Sequence, residues 1–330
     1  MGVDFWQDRN VFVTGATGLL GSWLVQELVE LGANTVCLVR DWVPSSRFFQ
    51  ETVMQQATIV RGELEDYFVL LRALNEYEID TVFHVAAQAV VGTSSRSALS
   101  TFEANIRGTY HLLEACKNNS RLVQRVVLAS SDKAYGERQN LPYVEDTPLI
   151  GRFPYDVSKA CADLLAQSYF HTYQVPIAIT RCGNLFGGGD LNFNRLIPGT
   201  IRSALRNERP VIRSNGEYIR DYFYVRDAVS AYLLLAEKLL DPGVLGEAFN
   251  FGPERPLSVL NMVEVILKRL GKSELKPIVL NEKLHEIPSQ YLNCSKARKI
   301  LGWDNKYLLE EAMGETISWY EKFFLHVDRD

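Results

Sequence analysis

The chain has 330 residues, 47% hydrophobic and 23% charged, with a formal net charge of −5 at pH 7. Two closely packed lobes are the expectation at this length. No apolar run approaches the roughly 20 residues of a membrane span, and no long basic run suits nucleic acid, so neither kind of partner is expected. The amino-terminal Met1-Gly2-Val3-Asp4-Phe5-Trp6 lacks the basic and apolar regions of a signal peptide. Five scattered cysteines (Cys37, Cys116, Cys161, Cys182, Cys294) read as free thiols of a reducing cytosol rather than disulfides. Dispersed histidines, with neither HxxxH nor CxxC spacing, give no expected metal site. A cytoplasmic protein is the reading.

In chain order, the apolar strand at residues 10–14 runs into Gly15-Ala16-Thr17-Gly18-Leu19-Leu20-Gly21. A helix follows to about Leu31, closed by Gly32, and Val36 to Val39 is the second strand. Strand, glycine-rich turn, helix and strand form a dinucleotide-binding βαβ unit, here spaced GxxGxxG. Glycine permits a tight turn and close approach of a pyrophosphate to the helix N-terminus, where amides and dipole favour anions. Gly15, Thr17, Gly18, Leu19 and Leu20 are therefore candidate cofactor contacts. The second strand ends at Arg40-Asp41. A carboxylate there suits the ribose of NAD, whereas an arginine could clasp the 2′-phosphate of NADP. The two neighbours point in opposite directions, and the reading leans to NAD with NADP as the alternative.

Ala57 to Val60 is a third strand, and Gly62-Glu63-Leu64 leads to a helix ending near Tyr77. Thr81 to Val85 is a fourth, followed by Ala86-Ala87-Gln88, small enough to pass close to a cofactor. Glu63, Leu64, Ala86, Ala87 and Gln88 complete the cofactor candidates. A long helix from about Leu99 to Asn118 precedes the buried run Val126 to Ala129, and Ile177 to Thr180 is a sixth strand. This alternation predicts an α/β fold with a doubly wound parallel sheet. Residues 1–181 form the dinucleotide-binding lobe and 182–330 a smaller substrate lobe, with room for the chain to cross back. Residues 182–190 read as a glycine-rich loop, Arg195 to Arg206 as a helix, and Asp227 to Leu239 as another. Ala248 to Phe251 is a strand, and Ser258 to Leu270 and Leu308 to Phe323 are late helices.

The chemistry concentrates between Ser130-Ser131-Asp132-Lys133 and Tyr155-Asp156-Val157-Ser158-Lys159. Tyr155 and Lys159 lie four apart on a predicted helix and share one face. An ammonium beside the phenol favours the phenolate and lowers a pKa that is ordinarily about 10. Ser131 offers a hydroxyl at a strand end. Asp132 and Lys133 form an adjacent acid–base pair, to be treated as one coupled unit. Lys133 can be a base only if burial and a second cation, here Lys159, depress its pKa. Asn184, Arg195, Leu196, Arg213 and Arg220 are candidate substrate contacts, since guanidinium matches phosphate bidentately. His285 and Glu286 are weaker candidates.

The constellation resembles the extended short-chain dehydrogenase/reductase family of nucleotide-sugar epimerases and dehydratases. Its carriers are residues 14–21, His84-Val85-Ala86-Ala87, the Ser131 motif, Tyr155/Lys159, and Arg220-Asp221-Tyr222 leading to Val225 and Asp227. Within it, Phe5-Trp6, Gly21-Ser22-Trp23-Leu24, Ser131-Asp132-Lys133, Gly187-Gly188-Gly189-Asp190 and Cys294-Ser295-Lys296-Ala297 are most similar to the CDP-glucose 4,6-dehydratases. The resemblance implies a Rossmann-type fold, bound NAD and a nucleotide-sugar substrate. Tyr155 would take the C4 hydroxyl proton while Ser131 orients that oxygen, and Lys159 would hold the phenolate and the cofactor ribose. Asp132 and Lys133 would act as acid and base in expelling water across C5 and C6. An epimerase needs no such pair, so its presence favours a dehydratase. A 4-epimerase, or a dehydratase for a UDP- or GDP-sugar, is the alternative. Most 4,6-dehydratases carry Asp-Glu where this chain has Asp-Lys. The resemblance also implies a homodimer through the helices bearing Thr101, Ile106, Tyr110, Leu113 and Ala160, Leu164, Gln167, Phe170.

Overall fold

A buried parallel sheet carries the molecule, and its strands are the apolar runs of the sequence. The computed structural model describes residues 3–50, 56–282 and 286–327; His285 lies outside them. The first strands are β1 (Asn10–Thr14), β2 (Asn34–Val39), β3 (Thr58–Arg61), β4 (Thr81–His84), β5 (Arg125–Ala129) and β6 (Ile177–Cys182). After them come β7 (Asn184–Phe186), β8 (Val211–Ile212), β9 (Ile219–Tyr224) and β10 (Ala248–Phe251). β11 (Pro256–Ser258), β12 (Ile278–Val279) and β13 (Ser289–Gln290) follow. Every residue of β4, β5 and β6 is buried. Covered on both faces, these strands read as continuous apolar runs rather than as alternation.

The central sheet is ordered β10-β6-β5-β4-β1-β2-β3, parallel throughout. The chain winds outward from β1 to β3, then returns to lay β4 on the other side of β1. The order reverses there, and in such sheets ligands bind outside the carboxyl ends of the strands at that switch point. β10 comes from far down the chain and closes the sheet beside β6.

Local chemistry explains the helices flanking the switch point. Helix Leu19–Glu30 buries Leu20, Leu24, Val25 and Leu28 along one stripe. It ends in a Schellman motif, with Ala33 N bonding Leu28 O at 2.9 Å, Gly32 N bonding Val29 O at 3.0 Å and Gly32 at φ +83°. Helix Pro154–Tyr173 starts with proline at its first position and stops at Gln174 in the left-handed region. Its Asp163 is fully buried and takes a forked ion pair from Arg181 of β6 at 2.8 and 3.0 Å.

Two expectations require correction. The helix from Leu99 to Asn118 is interrupted: Ala98–Phe102 is α-helical, Glu103–Arg107 is a π-turn, and Gly108–Asn118 resumes the α-helix. Single π-turns of this kind often sit at functional sites. The glycine-rich loop at 182–190 contains regular structure, because Cys182 ends β6 and Asn184–Phe186 pairs in parallel with Tyr222–Tyr224. Tertiary pairing overrides the low strand propensity of that run. The smaller sheet of β7, β9, β11 and β13 forms the second wall of the cleft.

Candidate active site

A cleft of about 1250 Å³ opens over the carboxyl ends of β1, β4, β5 and β6. Gly15, Thr17, Gly18, Leu19, Leu20, Arg40, Asp41, Leu64, Ala86, Ala87, Gln88, Ser131, Lys133, Tyr155, Lys159, Asn184, Arg195, Leu196, Arg213 and Arg220 all line it. Glu63 and Asp132 do not. Leu64 packs against Gly108, where an added Cβ would lie 2.6 Å from its side chain.

One end of the cleft is built to admit a dinucleotide. Gly15 adopts φ +73°, and a Cβ there would sit 2.7 Å from the Ala86 backbone. Helix Leu19–Glu30 begins at Gly18 with no side chain capping it, so its positive end opens on the cleft. These residues fit a pyrophosphate. Arg40 and Asp41 at the tip of β2 pair with each other at 2.7 Å and are about half exposed.

Behind this end a hydrogen-bonded chain joins the glycine turn to helix Pro154–Tyr173. Thr109 donates to the Asn105 carbonyl at 2.6 Å, so its oxygen accepts from His84 Nε2 at 3.0 Å. His84 Nδ1 therefore accepts from the Thr14 hydroxyl at 2.9 Å, and Thr14 in turn accepts from Ala86 N at 3.2 Å. Burial and the Lys159 charge push the His84 pKa down to about 3, keeping the ring neutral. From the π-turn, Asn105 bonds the Gln88 backbone at both ends, at 2.7 and 3.2 Å, and donates to Ser158 at 2.9 Å. Sequence reading missed Asn105. An asparagine in the middle of a predicted helix, where its amide competes with the backbone, was the available signal.

At the centre, Ser131 caps a short 3₁₀ turn, Asp132–Tyr135, accepting from Lys133 N at 3.2 Å and donating to Asp132 Oδ1 at 3.2 Å. That turn directs Asp132 inward, 1% exposed, and sends the Lys133 amine to the other wall, where it donates to Gln290 Oε1 at 2.9 Å. Asp132 Oδ2 is buried without a hydrogen-bond partner among the described residues. Burial raises the Asp132 pKa against the pull of Lys133 and Arg220. Burial lowers that of Lys133, helped by Arg220 and opposed by Asp132, Glu286 and Asp156. Each shift opposes the charged form of its group. The second cation is Arg220, not Lys159 as expected from sequence. Arg220 reaches Glu286 at 3.0 Å.

Tyr155 behaves differently from the expectation. Burial pushes its pKa up to about 12, with Arg195 and Ser131 pulling the other way. Lys159 lies on the same helix but donates to the Ala129 carbonyl at 2.6 Å, and burial lowers its own pKa to about 8. Desolvation thus outweighs Arg195 and Ser131 at the phenol. Arg195 is held by Asp190 at 3.0 Å. Arg213 donates to Asn194 at 2.9 Å.

The doubly wound sheet with its glycine-turn cradle is a Rossmann-type fold, and the protein is a nucleotide-sugar dehydratase, a hydro-lyase. The chain belongs to the GDP-mannose 4,6 dehydratase family, whose model matches residues 12–316. It is 34% identical to the CDP-glucose 4,6-dehydratase of Salmonella typhimurium, over 96% of this chain and 92% of that protein. The dTDP-glucose 4,6-dehydratase of Bacillus anthracis, solved in complex with NAD, superposes with a TM-score of 0.84 at 27% identity, covering 95% of this chain and 97% of that one. The UDP-glucose 4-epimerase of Thermotoga maritima, solved with UDP-glucose, gives 0.87 at 27% identity, covering 96% and 99%. Overall shape therefore does not separate the two chemistries. Among the described residues no helix is long and apolar enough to cross a membrane, and no cluster of three or more potential metal ligands occurs.

Proposed function

We propose that the protein is an NAD-dependent nucleotide-sugar 4,6-dehydratase whose substrate is CDP-glucose and whose product is the CDP-4-keto-6-deoxy sugar. The observation that carries the reading is the Asp132–Lys133 pair within one turn of Ser131, with Asp132 Oδ2 buried and unpartnered among the described residues and the Lys133 amine held across the cleft by Gln290. A dehydration needs that combination; an epimerisation does not. The CDP assignment leans on the relative from Salmonella typhimurium and on the shared Asp-Lys.

NAD, when bound, supplies a cationic ring that takes up hydride and gives it back, so the net reaction consumes no reductant. The cradle from Gly15 to Leu20, with Ala86, Ala87 and Gln88, would hold it, along with Lys159. Asp41 supports NAD over NADP. Glu63 lies off the cleft lining and is assigned no contact. The other steps belong to the chain's own residues. Tyr155, whose phenolate the positive charge of the bound cofactor would favour against burial, would take the C4 hydroxyl proton, and Ser131 would bond that oxygen. The resulting ketone acidifies the C5 hydrogen. Lys133, as the amine, would remove that proton, and Asp132, buried behind the lining with Oδ2 unpartnered among the described residues, would turn its acid proton to the departing C6 hydroxyl, which leaves as water. Asn184, Arg195, Leu196, Arg213 and Arg220 serve the nucleotide diphosphate and base.

Residues 1–181, with β10 crossing back, are assigned to the cofactor half, and the rest of the chain to the substrate half. A cytoplasmic homodimer completes the reading. Tyr110 and Leu164, on the two helices expected to pair, are exposed, which supports it, whereas Thr101, Leu113 and Ala160 are buried core positions.

The test is incubation of the protein and NAD with CDP-, UDP-, GDP- and dTDP-sugars in deuterated water. Loss of water from CDP-glucose, with deuterium at C5, is the expected result. Isomerised product of unchanged mass would instead mark an epimerase.

A further inference from the structure

Gln290 stands outside every motif of the sequence, yet it is the residue that holds the Lys133 amine. It is fully buried, on a two-residue strand, β13, that pairs with β9 so that Gln290 lies beside Arg220. Its Oε1 accepts from Lys133 Nζ at 2.9 Å, and its Nε2 is buried with no partner among the described residues. The strand is fastened from the same side. Arg220 donates to the carbonyls of Ile219 at 2.8 Å and Pro288 at 3.2 Å, and to Glu286 at 3.0 Å. An unpartnered buried amide N–H costs stability that an apolar side chain of similar size would not.

We propose that Gln290 is a positioning residue for the elimination step, its carbonyl fixing one N–H of Lys133 so that the amine faces the cleft. This rests on the dehydratase reading and on Lys133 as its base. An amide is the suitable acceptor. It accepts from an ammonium or an amine, and so orients the nitrogen without holding a proton on it. A carboxylate at the same place would favour the ammonium, which has no lone pair to remove a proton. The charged groups acting on Lys133 are Asp132 and Asp156 from its own wall, and Arg220 and Glu286 from the opposite one. Gln290 is the neutral member of that ring.

The test uses the full-length protein and two substitutions, Gln290→Glu and Gln290→Met. Competitive acetylation of lysines across a pH series, read by mass spectrometry, gives the titration of Lys133 without any turnover. It should move to higher pH in Gln290→Glu and to lower pH in Gln290→Met; an unmoved titration in both overturns the contact. With NAD and the sugar nucleotide turned over by wild type, single-turnover absorbance should show C4 oxidation unchanged in Gln290→Met. Deuterium entry at C5 should slow by about 10²-fold. In Gln290→Glu the rise of the elimination rate with pH should shift upward. Parallel loss of oxidation and elimination would mean a structural role and overturn the proposal. Lys133→Ala separates the two levels: if it dehydrates like wild type, the base assignment falls and takes this proposal with it. If it fails while both Gln290 variants match wild type, only the role of Gln290 falls.

Discussion

Lys159 and Lys133 face one cleft, and each has its pKa lowered by burial, but they are held in different ways. Lys159 is tied to the main-chain carbonyl of Ala129, thirty positions earlier, at the end of a central strand. Lys133 is tied to a side chain 157 positions later, on a short strand of the other wall. A backbone acceptor comes with the sheet and survives any substitution that leaves the sheet intact. A side-chain acceptor can be exchanged residue by residue. On the proposed mechanism, the oxidation half of the site is thus built into the fold, while the elimination half is assembled from two walls that share only the cleft.

That contrast can be broken experimentally. Tyr155→Phe should have the largest effect, removing the phenol beside Ser131 and stopping oxidation and elimination alike. Neither reduced cofactor nor product should form, with turnover falling at least about 10²–10⁴-fold; normal reduction of NAD would show that another group takes the C4 proton. Lys133→Ala should split the two halves. Reduced cofactor should still appear in a single turnover while water loss falls by about 10²–10⁴-fold, and unimpaired water loss would dissolve the distinction between the lysines.

The fold-borne half also predicts a response to acid. His84 has a folded pKa of about 3 against an ordinary 6.5. Protonation therefore favours the unfolded chain, and the stability that neutral His84 confers is complete above pH 6.5 and lost as pH falls towards 3. At pH 5 the loss from this group is about 2 kcal/mol. Denaturant unfolding at pH 7 and pH 5 should show a smaller drop for His84→Gln than for wild type; equal drops would sink the assignment. The smallest effect belongs to the tip of β2. Asp41 is exposed and paired with Arg40, and exposed pairs contribute about 0–1 kcal/mol. Asp41→Ala should change the ratio of NAD to NADP affinity by about tenfold or less, measured by cofactor titration.

The two halves were unequally legible. β1, its glycine turn and the following helix announce themselves because their constraints are local: a positive-φ glycine, a periodic apolar stripe, a closing Gly32. Ser131, Tyr155 and Lys159 share that advantage, since one strand end and one helix face place all three. Lys133 could be picked out, but not its surroundings, because Gln290 and Glu286 reach it only through the pairing of β13 with β9. A two-residue strand leaves no periodicity to read. The phenol was misjudged for a related reason: proximity along a helix is visible in sequence, whereas the desolvation that opposes it depends on what else covers the site. Asn105 offered only its own out-of-place amide as a signal, because a π-turn has no periodicity distinct from an α-helix.

The return of the chain to lay β10 beside β6 bears on how the molecule is made. A fragment ending at residue 181 would stop inside β6 and leave that strand with a bare, apolar, parallel edge, a template for self-association. On the ribosome the same exposure lasts until residue 251 has emerged, so the sheet cannot be sealed by its first half alone. A split reporter or a domain insertion should therefore be placed beyond that residue.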